Sequence, residues 1–331
     1  MKIAVVGATG LVGRTMMEVI KTSFPASVLS DFEILAVASE ASAGQRLSWN
    51  DKTITVITLS EAIRQKPDIA LFSAGSQVSL DWAPRFAELG GTVIDNSSAW
   101  RRDPSVPLIV PEVNGDVLDT HHRIIANPNC STIQLVMALA PLQQAYGLER
   151  VVVSTYQSVT GAGQKGISQL EDERNGKPAV RAFPHQIDLN IIPEGGYFLE
   201  NAYTSEEDKL VFESAKILRE PGLRLTATVV RVPVRGGHSE SVNVALKQEF
   251  DIVDIRKRLA AAPGIVVLDD PASHLYPMPL FAEGRDEVFV GRIRRDDTIP
   301  NGLNMWIVSD NLRKGAATNA VQIVKLLMDL R

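Results

Sequence analysis

A glycine-rich turn near the start of the chain constrains the fold most strongly. The apolar run Ile3-Ala4-Val5-Val6 leads directly into Gly7-Ala8-Thr9-Gly10-Leu11-Val12-Gly13, and apolar residues at helical spacing follow. A buried strand, a glycine turn and a helix in this order are typical of a dinucleotide-binding unit. The glycines let the backbone approach a pyrophosphate, and the helix N-terminus supplies N–H groups and a dipole. A tight turn that binds nothing is the alternative.

Size and composition limit the classes of protein that this chain can form. Its 331 residues suffice for two domains, and 45% hydrophobic with 22% charged residues is typical of a globular protein. A formal net charge of -5 gives no electrostatic support for nucleic-acid binding. One cysteine excludes an intrachain disulfide and fits a reducing compartment, so we expect a cytoplasmic protein. The first residues read as a strand rather than a signal peptide, and no apolar run approaches ~18 residues, so we predict no membrane span.

Further strand and helix patterns continue the α/β alternation. Strand patterns cover residues 32–38, 69–73 and 92–95, and a helical pattern covers residues 82–89. In this fold the end of the second strand meets the adenosine ribose, where an acidic residue favours NAD and an arginine accommodates NADP. Glu40 stands there and no arginine follows before Arg46, which favours NAD. A Glu40 that only faces solvent is the alternative.

The segment from Asn96 to Asp103 follows the strand pattern at 92–95 and is rich in amide, hydroxyl and guanidinium groups. Ligands of open α/β sheets bind beyond the carboxyl ends of the strands, so this segment is a candidate anion site. Arg101 and Arg102 match phosphate or carboxylate through a planar fork, or they are solvated surface. Residues 107–114, which lead towards the next motif, are predicted to be extended.

The only cysteine, Cys130, stands in the turn Asn127-Pro128-Asn129-Cys130-Ser131-Thr132, between a strand pattern at 123–126 and a helical pattern. Pro128 disfavours helix for the residue before it, so we predict a helix from about Ser131. A sulfur beside a helix N-terminus is stabilised as the nucleophilic thiolate. A lone cysteine is also a small buried hydrophobe. The polar turn favours the nucleophile, because polar residues around a sulfur make a poor core.

The second half of the chain supplies candidate partners for this sulfur. A strand pattern at 149–154 leads to Gln157, whose amide could hold a carboxylate or carbonyl, and to the turn Gly161-Ala162-Gly163, although both are common in plain loops. A strand pattern at 225–234 carries Arg231, and another at 241–247 follows a glycine-flanked turn with His238. A neutral imidazole is the proton acceptor that a cysteine nucleophile needs. The other four histidines lie in polar or proline-containing segments.

Three further patterns complete the second half. Residues 171–194 are polar and punctuated by proline, which predicts an irregular surface segment. Thr204 or Ser205 is predicted to cap a helix whose first turn holds Glu206 and Glu207, which is a complete structural explanation for both acids. Strand patterns at 288–293 and 305–309 indicate an antiparallel or mixed sheet, and the helical pattern at 315–330 is expected to pack on the first domain.

Taken in order, these motifs resemble those of the aspartate-semialdehyde dehydrogenase family over essentially the whole chain. The matching segments are residues 7–13 (GATGLVG), 95–101 (DNSSAWR), 127–132 (NPNCST), 155–158 (TYQS), 231–234 (RVPV) and 237–239 (GHS). The cysteine segment is the most specific of them. The resemblance implies an α/β fold: an N-terminal Rossmann-type dinucleotide-binding domain, residues 1–127 completed by 313–331, and an α+β catalytic and dimerisation domain with a mixed sheet, residues 128–312.

The resemblance also implies a reaction, the NADP(H)-dependent reductive dephosphorylation of L-aspartyl 4-phosphate to L-aspartate 4-semialdehyde through a cysteine thioester. This step serves lysine, methionine, threonine and diaminopimelate biosynthesis. The implied partners are small molecules, without nucleic acid, membrane or metal, and the implied assembly is a homodimer or a dimer of dimers.

The resemblance assigns roles to individual residues. Cys130 is implied as the nucleophile and His238 as the general acid/base. The implied ligand-binding residues are Gln157, Glu207 and Arg231 for the amino-acid end of the substrate, Arg101 and Lys209 for phosphate, and Gly7, Thr9, Gly10, Leu11, Val12, Ala41, Ser42, Thr160, Gly161 and Asn319 for the cofactor.

The sequence departs from the family pattern at two places. The family usually carries an arginine at the position of Ala41, where it meets the 2′-phosphate of NADP. Here that charge is missing and Glu40 stands beside the gap, so NAD(H) is possible beside the expected NADP(H). The segment Ile192-Pro193-Glu194-Gly195-Gly196 also differs, and its sequence offers no functional interpretation.

Two other functions are compatible with parts of the pattern. A reductase of another acyl phosphate, such as N-acetyl-glutamyl phosphate, would share the cysteine–histidine chemistry. The set Gln157, Glu207 and Arg231 argues against it, because it suits a free α-amino acid. A non-catalytic nucleotide-binding paralogue would share the fold. The presence of both Cys130 and His238 argues against that, because the two have no structural use together.

Overall fold

The computed structural model describes residues 1–330, which form two compact units, Met1–Asn129 together with the chain from Ala316 onward, and Cys130–Gly315. The strands are β1 (Lys2–Val6), β2 (Glu33–Val37), β3 (Arg46–Trp49), β4 (Lys52–Thr55), β5 (Ile69–Phe72), β6 (Thr92–Asp95), β7 (Ile124–Ala126), β8 (Leu148–Gln157), β9 (Leu225–Arg231), β10 (His238–Leu246), β11 (Ile265–Val267), β12 (Val288–Asp296) and β13 (Gly302–Ser309). The helices are α1 (Leu11–Ser23), α2 (Ala26–Leu29), α3 (Leu59–Arg64), α4 (Ser76–Glu88), α5 (Pro111–Asn114), α6 (Cys130–Tyr146), α7 (Gln164–Arg174), α8 (Ser205–Ile217), α9 (Ile252–Ala261), α10 (Pro279–Ala282) and α11 (Thr318–Asp329).

The first unit is built on a parallel sheet of five strands in the order β2-β1-β5-β6-β7. Helices cover both faces, which explains why the strands are continuously apolar rather than alternating. Ile3 and Val5 pack in one core with α1 and α11, and Ala4 and Val6 pack in another with α4. The predicted Rossmann-type sheet is confirmed, and so is the return of the last helix to this unit.

The second unit contains a mixed sheet of six strands in the order β11-β12-β13-β10-β8-β9. β10 pairs antiparallel with both β8 and β13, whereas β8 and β9 run parallel. Helix α6 packs on β8, β10, β12 and β13, and also contacts α8 and α9. Most of its side chains are buried, which is typical of a helix that is apolar on every side. The predicted mixed sheet is confirmed.

Two predicted irregular or extended segments are wrong in part. Residues 111–114 form α5 rather than extended chain, because Pro111 suits the first helical position and Asn114 closes the turn. The Asn114 amide oxygen accepts from the Val110 N–H, and its nitrogen donates to the Leu108 carbonyl. Residues 171–174 complete α7, whose Ile167 and Leu170 are buried on one face, so the irregular segment begins only after Arg174.

Several predicted boundaries also shift. β9 ends at Arg231, and β10 begins at His238 itself rather than three residues later. The reason is tertiary: His238 already pairs in register with Ser309 of β13, so the strand starts inside the predicted turn. α11 begins at Thr318, after a π-helical turn at Arg313–Ala317. The predicted cap of α8 is confirmed, with Thr204 as the N-cap residue.

Candidate active site

Cys130 is the first residue of α6 and is half-buried, so its sulfur lies at a helix N-terminus as predicted. The π-helical turn approaches it closely: a Cβ added to Gly315 would lie 2.8 Å from the Cβ of Cys130. The polar residues around the sulfur are buried rather than exposed. The Asn127 amide nitrogen, for example, donates to Asn96 Oδ1 at 2.7 Å and to the Ala316 carbonyl at 3.2 Å. The polar setting is therefore a hydrogen-bonded one, which a sequence pattern alone does not reveal.

Two side-chain hydrogen bonds fix the first turn of α6 to the sheet beneath it. The Gln157 amide, on the last residue of β8, donates to Ser131 Oγ at 3.0 Å. The hydroxyl of Ser309, the last residue of β13, donates to Gln134 Oε1 at 2.5 Å. His238 begins β10, the strand between β8 and β13. Gln157, His238 and Ser309 thus form a polar row at the edge of the sheet under Cys130.

His238 is fully buried and is held from one side of its ring. The Ser158 backbone N–H donates to Nδ1 at 3.1 Å, and Ser158 Oγ lies 3.1 Å from the same nitrogen. Nε2 is buried without a hydrogen-bond partner anywhere in residues 1–330. Burial, together with the nearby Arg231 charge, lowers the pKa of His238 to about 3. The ring is therefore neutral at physiological pH.

A guanidinium and a carboxylate meet beside this ring. Arg231 ends β9 and is buried, and its Nη2 donates to Glu206 Oε1 at 2.7 Å. The other oxygen, Glu206 Oε2, is buried with no partner among the residues that the structure describes. A Cβ added to Gly161 would lie 2.6 Å from Arg231 Nη1 and 3.4 Å from His238 Nε2. The open face of Gly161 therefore looks onto both groups, and a side chain there would fill the space they share.

Glu207, predicted in the substrate set, has a different environment from Glu206. Its carboxylate is buried and accepts from the backbone N–H of Thr204 at 2.6 Å and of Val229 at 2.9 Å. Both oxygens are thus engaged by the capping box of α8 and by β9. The sequence carried a signal for this: a capping box needs its acid three residues after the cap, which selects Glu207 and leaves Glu206 available. Lys209 follows Glu206 at helical spacing and is half-buried.

The unexplained segment after Pro193 lies against Glu206. Ile192 and Arg231 exchange backbone hydrogen bonds, which brings the segment beside β9. A Cβ added to Gly195 would lie 2.5 Å from Val229 Cγ1 and 3.2 Å from Glu206 Oε2. Gly196 has a φ of +81°, and a Cβ there would lie 2.2 Å from Ser205 Oγ. The two glycines let the backbone pass directly over the start of α8, where no other residue fits.

The predicted phosphate-binding turn of the first unit has the expected geometry. Gly7 ends the strand-to-helix connection with a φ of +91°, and a Cβ there would lie 2.4 Å from the Ser73 carbonyl oxygen. A Cβ at Gly13 would lie 2.2 Å from the Gly7 carbonyl oxygen, so α1 packs tightly on the turn. Gly10 is the N-cap residue of α1 and Leu11 its first residue, with Thr9 half-buried before them. The backbone is therefore arranged to present a helix N-terminus to a ligand.

The other predicted residues of the first unit lie in three places. Glu40, Ala41 and Ser42 form a short 3₁₀ turn directly after β2, and the first two are exposed. Arg101 is buried, and its Nη2 donates to the Asn96 carbonyl at 2.9 Å. Asn319 is buried, and its amide nitrogen donates to the Ile109 carbonyl at 2.9 Å and to Asn127 Oδ1 at 2.7 Å. The buried Asp95 precedes the arginine segment, and burial raises the pKa of its carboxyl.

Two negative findings apply to residues 1–330. They contain no cluster of three or more histidine, cysteine, aspartate or glutamate side chains with the geometry of a metal site. None of their helices combines the length and the apolar character that crossing a membrane requires.

Fold and site together define a class: a nucleotide-dependent semialdehyde dehydrogenase with a cysteine and a histidine in its second unit. Family models agree on both units. The semialdehyde dehydrogenase, NAD binding domain matches residues 2–121, and the semialdehyde dehydrogenase, dimerisation domain matches residues 139–314.

Comparison with individual proteins narrows the class. Aspartate-semialdehyde dehydrogenase of Aquifex aeolicus is 51% identical over 99% of this chain and 98% of its own length. Aspartate semialdehyde dehydrogenase II of Vibrio cholerae, solved in complex with ASA, has a TM-score of 0.93 and 44% identity, covering 99% of this chain and 98% of that one. The Candida albicans enzyme, solved with NADP, has a TM-score of 0.76 and 26% identity, covering 99% of this chain and 98% of that one. The chain belongs to the aspartate-semialdehyde dehydrogenase family.

Proposed function

We propose that this chain reduces L-aspartyl 4-phosphate to L-aspartate 4-semialdehyde with release of phosphate. The observation that carries the proposal is the Arg231–Glu206 pair beside the unpartnered Nε2 of His238. A free α-amino acid presents one carboxylate and one ammonium group. A guanidinium with a carboxylate at its side is complementary to that pair of charges. The product feeds lysine, methionine, threonine and diaminopimelate biosynthesis.

The reaction divides into two steps at Cys130. Its thiolate, favoured at the N-terminus of α6, attacks the acyl phosphate, and phosphate leaves to give a thioester. Reduction of the thioester gives a hemithioacetal, which collapses to the aldehyde and regenerates the thiolate. His238 serves as general acid/base through Nε2. Gln157, fixed by its bond to Ser131, is placed to hold the substrate close to the sulfur.

For the amino-acid end of the substrate we propose Gln157, Arg231 and Glu206, in place of the predicted Glu207. The engaged oxygens of Glu207 argue against a role in binding, whereas Glu206 Oε2 has room for an ammonium group. Arg101 and Lys209 are proposed to bind phosphate. Arg101 is pre-oriented by its bond to the Asn96 carbonyl, which suits a planar guanidinium fork.

The nucleotide turn fits a dinucleotide, because the tight contacts of Gly7 and Gly13 leave room there only for backbone. When bound, NADP(H) supplies the hydride for the reduction. The proposed contacts are Gly7, Thr9, Gly10, Leu11, Val12, Ala41, Ser42, Thr160, Gly161 and Asn319. Because Glu40 and Ala41 replace the usual arginine environment, we infer that NAD(H) is also accepted.

The working molecule is proposed to be a cytoplasmic homodimer or dimer of dimers. The match to a dimerisation domain supports the assembly, and the single cysteine suits a reducing compartment. We propose functional domains at 1–127 with 313–331 and at 128–312. The two compact units support this division, with boundaries that lie within three residues of it.

The test is the phosphate-dependent oxidation of aspartate semialdehyde, measured with NADP and with NAD in parallel. We expect activity that requires phosphate, with NADP preferred. A high NAD rate would show that Glu40 and Ala41 have changed the preference, and Ala41→Arg should then restore NADP selectivity. A folded protein without activity on either cofactor would refute the proposal. N-acetyl-glutamate semialdehyde would be the next substrate to assay.

A further inference from the structure

His238 must change protonation state during turnover, and its buried ring needs a partner in each state. This requirement rests on the proposed function, in which Nε2 accepts and returns a proton. Whenever Nε2 acts as a base, the other nitrogen, Nδ1, must carry a proton, because a neutral imidazole always carries one. The groups around Nδ1 therefore decide which protonation states are available.

Ser158 offers Nδ1 both a donor and an acceptor. Its backbone N–H points at Nδ1 from 3.1 Å, and its hydroxyl oxygen lies 3.1 Å from the same atom. An unprotonated ring nitrogen has one lone pair in the ring plane and suits the N–H. A protonated ring nitrogen can only donate, and the Ser158 hydroxyl is the acceptor within reach. The same residue therefore supports two mutually exclusive states of the ring.

Asn311 determines where the hydroxyl proton goes. Its Oδ1 accepts from Ser158 Oγ at 3.1 Å and from Thr160 Oγ1 at 3.1 Å, and a carbonyl oxygen cannot donate. When Ser158 Oγ accepts from Nδ1–H, its own proton can bond to Asn311 Oδ1. Ser158, Thr160 and Asn311 are all at least nine-tenths buried, so water does not compete for these bonds.

Counting bonds identifies the resting state. With the proton on Nε2, the Ser158 N–H bonds Nδ1 and both hydroxyls bond Asn311. With the proton on Nδ1, the Ser158 N–H loses its acceptor, which is unfavourable for a buried amide. The resting ring therefore carries its proton on Nε2, and the other state forms during turnover. Other groups with charge near the ring are Arg231 on β9 with its partner Glu206 on α8, Glu240 on β10, and Cys130 on α6.

We propose that Ser158 and Asn311 are positioning residues for His238: the Ser158 N–H holds the resting ring with its proton on Nε2, and the Ser158 hydroxyl, backed by Asn311, accepts Nδ1–H during turnover. In the step itself, the proton leaves the Cys130 sulfur for Nε2 while Nδ1 keeps its own proton, so the ring becomes an imidazolium. The return of the Nε2 proton restores the neutral ring.

The experiment compares Ser158→Ala, Asn311→Ala and Asn311→Asp with the matched control Ser214→Ala. Ser214 is fully buried in α8, and its hydroxyl has no partner within residues 1–330, so its removal changes no hydrogen bond. Two measurements are made on each full-length protein. Nitrogen-15 NMR of selectively labelled histidine shows which ring nitrogen carries the proton at pH 7.5. Steady-state kinetics with aspartate semialdehyde, phosphate and NADP separates kcat from KM.

We expect the resting wild-type ring to be protonated on Nε2, and to remain so in Ser158→Ala, because the backbone N–H is intact. The kcat of Ser158→Ala should fall roughly 5- to 150-fold with KM unchanged, the effect of leaving one buried donor unpaired. Asn311→Ala should lower kcat, Asn311→Asp should retain it because the acceptor is kept, and Ser214→Ala should match wild type.

Two results would overturn the proposal independently. A wild-type ring protonated on Nδ1 at rest would contradict the role of the N–H. Full kcat in both Ser158→Ala and Asn311→Ala would contradict the role of the hydroxyl. The NMR measurement needs no turnover, so an inactive wild-type enzyme would refute the proposed function while the resting protonation state could still be judged.

Discussion

The two sheets of this protein bury opposite kinds of side chain. In the first unit, Ile3–Val6 of β1 and Ile69–Phe72 of β5 are buried and wholly apolar. In the second unit, β8 and β10 bury Gln157, His238 and Glu240 at the ends nearest Cys130. Apolar burial stabilises a fold, whereas buried polar groups without partners cost free energy. The first sheet thus serves stability, and the second retains costly groups where the chemistry is proposed.

The largest expected effect is that of Cys130→Ser. Serine keeps the size of the side chain but is a far weaker nucleophile without a dedicated base, so turnover should fall by several orders of magnitude. The far-UV circular dichroism and the Tm should stay close to wild type. Since the chain has one cysteine, iodoacetamide should inactivate wild type with a single adduct and leave the variant unlabelled. Near-normal turnover in the serine variant would remove Cys130 from the mechanism.

The matching test of the first sheet is Leu71→Ala on β5. Leu71 is fully buried, and its truncation should lower the free energy of unfolding by about 2–5 kcal/mol. Below the new Tm, kcat should be close to wild type, because the change acts on stability alone. Leu80→Ala is the control, since Leu80 is exposed on α4 and should change stability by less than about 0.5 kcal/mol. A stable Leu71→Ala protein with low kcat would break the division between the two sheets.

A smaller effect should separate the two adjacent acids of α8. Glu206→Gln removes the charge proposed to face the substrate ammonium, and KM for aspartate semialdehyde should rise roughly 10- to 100-fold, the range for a hydrogen bond to a charged group. Glu207→Gln should instead lower the Tm, because it weakens the cap of α8 and the bond to Val229, with KM unchanged. A KM that rises only in the Glu207 variant would restore the sequence-based assignment.

The same contrast explains what could be predicted from the sequence. The parallel sheet and the glycine turn follow from short-range patterns, because apolar runs and glycines record their environment locally. The capping box at Thr204 is local too. The contacts of Glu206 with Arg231, and of Ser158 and Asn311 with His238, join residues from 2 separate strands or turns that only the fold brings together. Single residues at such sites have no periodic pattern, so the sequence could nominate candidates but not their partners.

The smallest expected effect concerns Glu240, two residues after His238 on β10. It is fully buried, and neither carboxyl oxygen has a hydrogen-bond partner in the part of the chain that the structure describes. Burial raises the pKa of Glu240 well above its ordinary value, and the nearby Gln134 amide opposes this only in part. The folded state therefore keeps the proton at pH values where the unfolded chain, with a pKa of about 4.3, has released it.

The sign of the pH effect follows from this difference in bound protons. The stability of the folded state is unaffected by Glu240 below the unfolded pKa and is lost progressively as pH rises towards the folded pKa. Glu240→Gln cannot ionise, so its Tm should exceed that of wild type by more at pH 8 than at pH 5. Glu249→Gln, at an exposed position, should follow wild type at both pH values. Parallel Tm curves for wild type and Glu240→Gln would mean that this carboxyl costs the fold nothing, and the second sheet would then differ from the first in chemistry but not in stability.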